Sequence, residues 1–156
     1  MKVPGGAEVI ESKGKNPSFL IPGLMDAHVH LVHQANIAKL TPDQLLTHYL
    51  AHGVTGLRST GDEIVAQRMT QKFANANEDR APRVFLSSPM LDGAQVFHRD
   101  AGWPLTNPGD VADVIRGFRQ WGISTLKLYV NIERTMARKV IEEGHKAGLT
   151  VSVHPG

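Results

Sequence analysis

Apolar positions along this chain come in short bursts separated by polar, glycine-marked stretches. The first burst, Phe19 to Leu31, is broken by Pro22 and Gly23 and resumes at Leu24. Read as a strand, Leu24 to His30 alternates its side chains between two faces. Asp26, His28 and His30 then share one face, and Met25, Ala27 and Val29 the other. A loop rich in His and Asn follows. Thr41-Pro42-Asp43 predicts a helix start, with Thr41 as N-cap, Pro42 at the first helical position and an acid in the first turn. Leu45, Leu46, Tyr49 and Leu50 recur at helical spacing up to a stop at Gly53. Val54 to Ser59 reads as a second strand. Gly61-Asp62 opens a second helix, with Ile64, Val65, Met69 and Phe73 along one side. Arg83 to Ser88 reads as a third strand, and Met90 to Asn107 as a long loop of the kind that often carries function. Asn107-Pro108 starts a helix along Val111, Val114, Ile115 and Phe118, ended by Trp121-Gly122. Ile123 to Val130 is a fourth strand. A helix from Asn131 or Thr135 to Ala147 and a fifth strand, Leu149 to His154, complete the pattern.

Three of these helices end in a glycine followed directly by an apolar strand, at Gly53-Val54, Gly122-Ile123 and Gly148-Leu149. Such alternation predicts a parallel sheet with helical crossovers. Periodicity alone permits an open doubly wound sheet or part of a (β/α)8 barrel. No glycine-rich phosphate fingerprint follows the first strand, which disfavours a dinucleotide fold.

Composition narrows the field. The chain has 156 residues, enough for one domain with a core. Its formal net charge is +2, with cations and acids interspersed and no basic stripe carrying aromatics, so nucleic acid is not expected as a partner. There are no cysteines, which excludes a disulfide scaffold and a cysteine zinc site. No stretch is apolar enough to span a bilayer and none reads as a signal peptide, so a cytoplasmic protein is expected.

In parallel β/α folds, functional groups collect at the C-terminal ends of strands. His28 and His30 end the first strand, Lys127 lies late in the fourth and His154 ends the fifth. Two imidazoles on one face can meet a divalent metal, although a lone H-x-H also arises by chance. Lys127 shares a face with Thr125 and Tyr129, opposite Leu126, Leu128 and Val130. Inside so apolar a strand it is buried and paired or reaches an edge. Burial favours the neutral amine, which can take up carbon dioxide as a carbamate. His33 and His98 fall in loops near this rim. His48 and His52, spaced i, i+4, read as surface residues of an outer helix, and His145 sits at a helix C-terminus where a cation suits the dipole.

The segment PGLMDAHVHL closely resembles the motif that opens the barrel of the amidohydrolase superfamily, in its imidazolonepropionase-like and prolidase-like branch. GVTGLRSTGD resembles that family's second strand and loop, and APRVFLSSPMLDG its third strand. GISTLKLYV resembles the strand bearing a carboxylated lysine, and HKAGLTVSVHPG the strand bearing the next metal histidine. The resemblance decides for a partial TIM (β/α)8 barrel of about five β/α units over residues 19–156. Residues 1–18 are expected to be a remnant of the N-terminal β-sandwich or a disordered tail. It implies metal ligands His28, His30, Lys127 as its carbamate, and His154, around one or two divalent ions, zinc foremost. His33, His98 and Tyr129 are the expected substrate contacts.

The implied reaction is hydrolysis of a carbon–nitrogen bond in an amide, cyclic amide or dipeptide-like small molecule. Two departures stand against it. Family members continue to a sixth-strand histidine and an eighth-strand general-base aspartate, whereas no aspartate follows Asp113 here. Ser59 stands where relatives often carry an aspartate after the arginine of strand two. The chain therefore reads as cut at both ends, expected to pair with copies of itself or with the remainder of the barrel. A non-catalytic metal-binding or assembly module is the alternative, and an inert open-sheet scaffold a third reading.

Overall fold

Strand β1 (Leu24–Val29) begins the regular part of the chain, which a computed structural model describes over residues 5–6, 14 and 19–154. The expectation for residues 1–18 lies almost wholly outside the described residues. After β1 come helices α1 (Leu31–Ala38) and α2 (Pro42–Ala51), strand β2 (Val54–Ser59) and helix α3 (Ile64–Ala76). Strands β3 (Arg83–Phe85), β4 (Ser87–Asp92) and β5 (Gly102–Pro104) follow. Helix α4 (Val111–Gln120), strand β6 (Thr125–Leu128), helix α5 (Arg134–Lys146) and strand β7 (Thr150–Val153) complete the order.

Every strand pair is parallel, in the orders β1-β2-β3 and β5-β4-β6-β7. β3 and β4 are two halves of one strand divided at the buried Leu86. The first half pairs with β2 and the second with β6. The main strands thus run β1, β2, β3/β4, β6, β7, part of a (β/α) barrel as expected. The core lies between the strands and the helices: Leu57, Leu126 and Leu128 from the strands meet Leu46, Ile115, Met136 and Val140 from the helices. Leu126 packs so closely on α5 that a Cβ on Gly144 would come within 2.8 Å of it. No helix among the described residues is long and apolar enough to cross a membrane.

The structure departs from the sequence reading in several elements. The expected loop after the first strand is helix α1, its Leu31 and Ala35 buried in the core. The third strand runs on to Asp92, and the long loop after it contains the short strand β5. Pro89, which lacks an N–H, sits inside β4 where the register with β6 slips, and Ser88 Oγ there accepts the Lys127 N–H at 2.9 Å. Asp62 does not cap the second helix. Glu63 does, its carboxylate accepting the N–H groups of Val65 and Ala66 at 2.9 and 2.7 Å.

Candidate functional site

The end of β1 is irregular. Asp26 pairs with Leu57 and Val29 with Ser59, so three steps on β1 oppose two on β2, a bulge. Alternation fails across a bulge, and the shared face expected for Asp26, His28 and His30 is not continuous. The Asp26 carboxylate instead folds back to accept the His28 N–H at 3.1 Å. Arg58 Nε reaches across from β2 to the Ala27 carbonyl at 2.8 Å and fixes the bulge. The His28 and His30 rings end 5.4 Å apart between centroids.

Helix α1 starts immediately after His30, which as its N-cap residue makes no side-chain cap bond. Asp62 supplies the missing acceptor from the β2–α3 loop. Its Oδ2 accepts the Val32 N–H at 3.2 Å and the Ser59 hydroxyl at 2.9 Å, and its Oδ1 accepts the His33 N–H at 3.4 Å. Ser59 and Asp62 are both buried. Sequence reasoning missed this role. The available signal was an acid three residues beyond a serine that stands in an acid's expected place.

Lys127 lies on the face of β6 away from the helices, as alternation predicted, while Leu126 and Leu128 join the core. It is 1% exposed. Gly61, at φ +95, lets the chain pass close above it: a Cβ there would meet Met90 Cγ at 2.7 Å and Lys127 Cγ at 3.2 Å. Among the described residues Lys127 has no ion-pair partner. Burial, then the nearby Arg58 charge, lowers its amine below the usual lysine range.

Across the rim, His98 Nε2 shares a hydrogen bond with Tyr129 Oη at 3.1 Å, and the Tyr129 ring lies 4.8 Å from that of His154. His33 approaches from α1, its ring 6.4 Å from His98. Asp92 holds this side together, a role the sequence did not disclose. Fully buried at the end of β4, its carboxylate accepts the N–H groups of Gly93 and Asn131 at 3.1 and 2.6 Å and that of Phe97 at 2.8 Å. It thereby ties the His98 loop to the turn that follows Tyr129.

These pieces enclose a cavity of about 460 Å3 lined by His28, His30, His33, Asp62, His98, Tyr129 and His154, with the buried Lys127 against the Gly61 wall. His28 is held below the usual histidine range by burial, then by the charges of Lys127 and His30. Burial also lowers His30, against an upward pull from Asp62 and the Gly61 backbone. Both imidazoles are thus biased to the neutral form that binds metals. His30 Nδ1 is buried with no hydrogen-bond partner. Among the described residues no three His, Asp or Glu side chains stand close enough together to hold a metal ion by themselves. Two imidazoles biased to the neutral form, one of them with an unpartnered ring nitrogen, and a buried amine without an ion-pair partner nonetheless offer donors that fit a divalent ion. His48 and His52 lie away from the cavity on α2, where His52 Nδ1 meets the His48 carbonyl at 2.7 Å.

No family model and no curated protein matches the chain. Solved structures do. A bottromycin amidohydrolase is 25% identical with a TM-score of 0.68, the match covering 83% of this chain and 27% of that one. Another amidohydrolase is 18% identical with a TM-score of 0.66, over 92% of this chain and 47% of that one. A Xaa-Pro dipeptidase is 18% identical with a TM-score of 0.62, over 85% of this chain and 43% of that one. The chain thus spans less than half the length of each.

Proposed function

We propose that this chain, which has the fold of amidohydrolases, supplies the metal-binding part of a hydrolase that cleaves a carbon–nitrogen bond in an amide, cyclic amide or dipeptide-like molecule. The observation that carries the reading is the convergence of His28, His30 and His154 on one cavity whose Gly61 wall lies against the buried Lys127. His28 and His30 with the Lys127 carbamate would hold one divalent ion and His154 would serve a second, so that no single ion takes all three imidazoles. Zinc best matches the imidazole and oxygen donors. Such an ion supplies Lewis acidity to a carbonyl and acidity to a water. The chain's own residues do the rest. Tyr129 Oη, held by its hydrogen bond with His98 Nε2, keeps its remaining hydrogen-bonding capacity for a polar group of the substrate. His33 closes the opposite wall. The buried acids Asp62 and Asp92 are tied to backbone N–H groups, so neither is free to take the water's proton.

The same occupied acids favour one second reading, a metal-binding or assembly module without turnover. Elemental analysis of the chain purified with zinc and bicarbonate tests the shared premise. About one to two ions per chain are expected, falling several-fold in a His28→Ala/His30→Ala variant, because two of the four donors are gone. Unchanged metal content in that variant overturns the assignment. Turnover on an amide, lactam and dipeptide panel separates hydrolase from module.

A further inference from the structure

We infer that Asp62, working with Ser59, is a positioning residue for His30 and His33: a carboxylate that the β2–α3 loop lends to the start of helix α1. The inference rests on the metal-site reading only for His30's role; the positioning itself is independent of metal. The first turn of any helix exposes amides that need acceptors. In α1 those of Val32 and His33 are met by the Asp62 carboxylate and not by the helix's own N-cap, His30. Where α1 begins therefore depends on Asp62, and with it the backbone of His30 one residue before the helix and of His33 in its first turn.

Ser59 explains the placement. Its Oγ lies 2.9 Å from Asp62 Oδ2, and both residues are buried. An aspartate at 59 would carry its oxygens one bond further than serine does, into the space the Asp62 carboxylate fills. Positions 59 and 62 are thus alternative origins for one negative group, with Gly61 at φ +95 turning the loop so that 62 can reach back. Both acids together would crowd one buried site with like charge.

The test is a cycle of the full chain with Asp62→Ala, Ser59→Asp and the double variant. Two readouts are used: hydrogen exchange at the Val32 and His33 amides, and cobalt(II) titration followed by its visible absorption. Asp62→Ala should speed exchange at both amides by about tenfold, the scale of a lost helix cap. It should also weaken cobalt binding and change the band shape that reports geometry at the histidines. Ser59→Asp alone should destabilise the fold, and the double variant should recover amide protection to within about threefold of the parent. A double variant no better protected than Asp62→Ala overturns the inference, as does unchanged exchange in Asp62→Ala. Should Asp62→Ala fail to fold, recovery of a folded double variant supports it and failure of both counts against it. A parent chain that binds no cobalt refutes the metal reading, while the exchange data still decide the positioning.

Discussion

Lys127 is buried in a way that weakens the fold. An amine at 1% exposure, with no ion-pair partner among the described residues, is held below its usual range by desolvation first and Arg58 second. For a base with a depressed folded-state pKa, the unfolded chain binds more protons in the window between the two values. Stability therefore rises with pH up to about 10.5 and is flat below the folded-state value. Lys127→Met, in metal-free and bicarbonate-free buffer, should raise Tm at pH 7 by about 2–4 °C for each ~1 kcal/mol relieved. The advantage should shrink as pH approaches 10, and calorimetry across that range checks it. The same variant should lose metal, and Lys127→Ala should regain it with added propionate, whose carboxylate can stand in for a carbamate. Alternation along GISTLKLYV made the direction of Lys127 legible, because β6 is regular. It misplaced Asp26, because a bulge is a relation between two strands and leaves no mark on either one alone.

At the scale of elements, the order of strands and most helices was readable because glycine stops and apolar bursts are local. Helix α1 was not, since its cap comes from Asp62, distant in sequence. The extension of the third strand through Pro89 was hidden for a similar reason: a proline argues against a strand interior until a register slip accommodates it. The loop after β4 hangs on Asp92. Asp92→Ala removes a charged acceptor shared by three amides and should cost about 2–3 kcal/mol. Urea unfolding measures that loss, and the His98–Tyr129 contact should loosen with it. Gly61→Ala combines a φ of +95 with contacts inside normal van der Waals distance of Met90 and Lys127. It should cost about 1–3 kcal/mol in the same assay.

On the scale of the whole molecule, β1 and β7 end the run of main strands, each paired on one side only among the described residues, as is the short β5 beside β4. Leu24, Met25 and Val153 there are more than half exposed. Open edges and uncovered apolar faces recruit other strands. The 156-residue chain purified alone should therefore run in light scattering as a dimer or larger, and a stable monomer at high concentration would contradict this. Partial-barrel architecture was legible from the β–α rhythm together with the motifs. The division of the third strand at Leu86 was not, because only pairing partners reveal it. That division makes Leu86 the spine of an open book. One page carries His28 and His30, the other Lys127, Tyr129 and His154. His28 and His154 sit two strand spacings, about 10 Å, from the spine, so roughly 5° of opening moves one from the other by nearly 1 Å. Sequence changes at the spine, far from the cavity, would thus set the gap between the two groups of histidines.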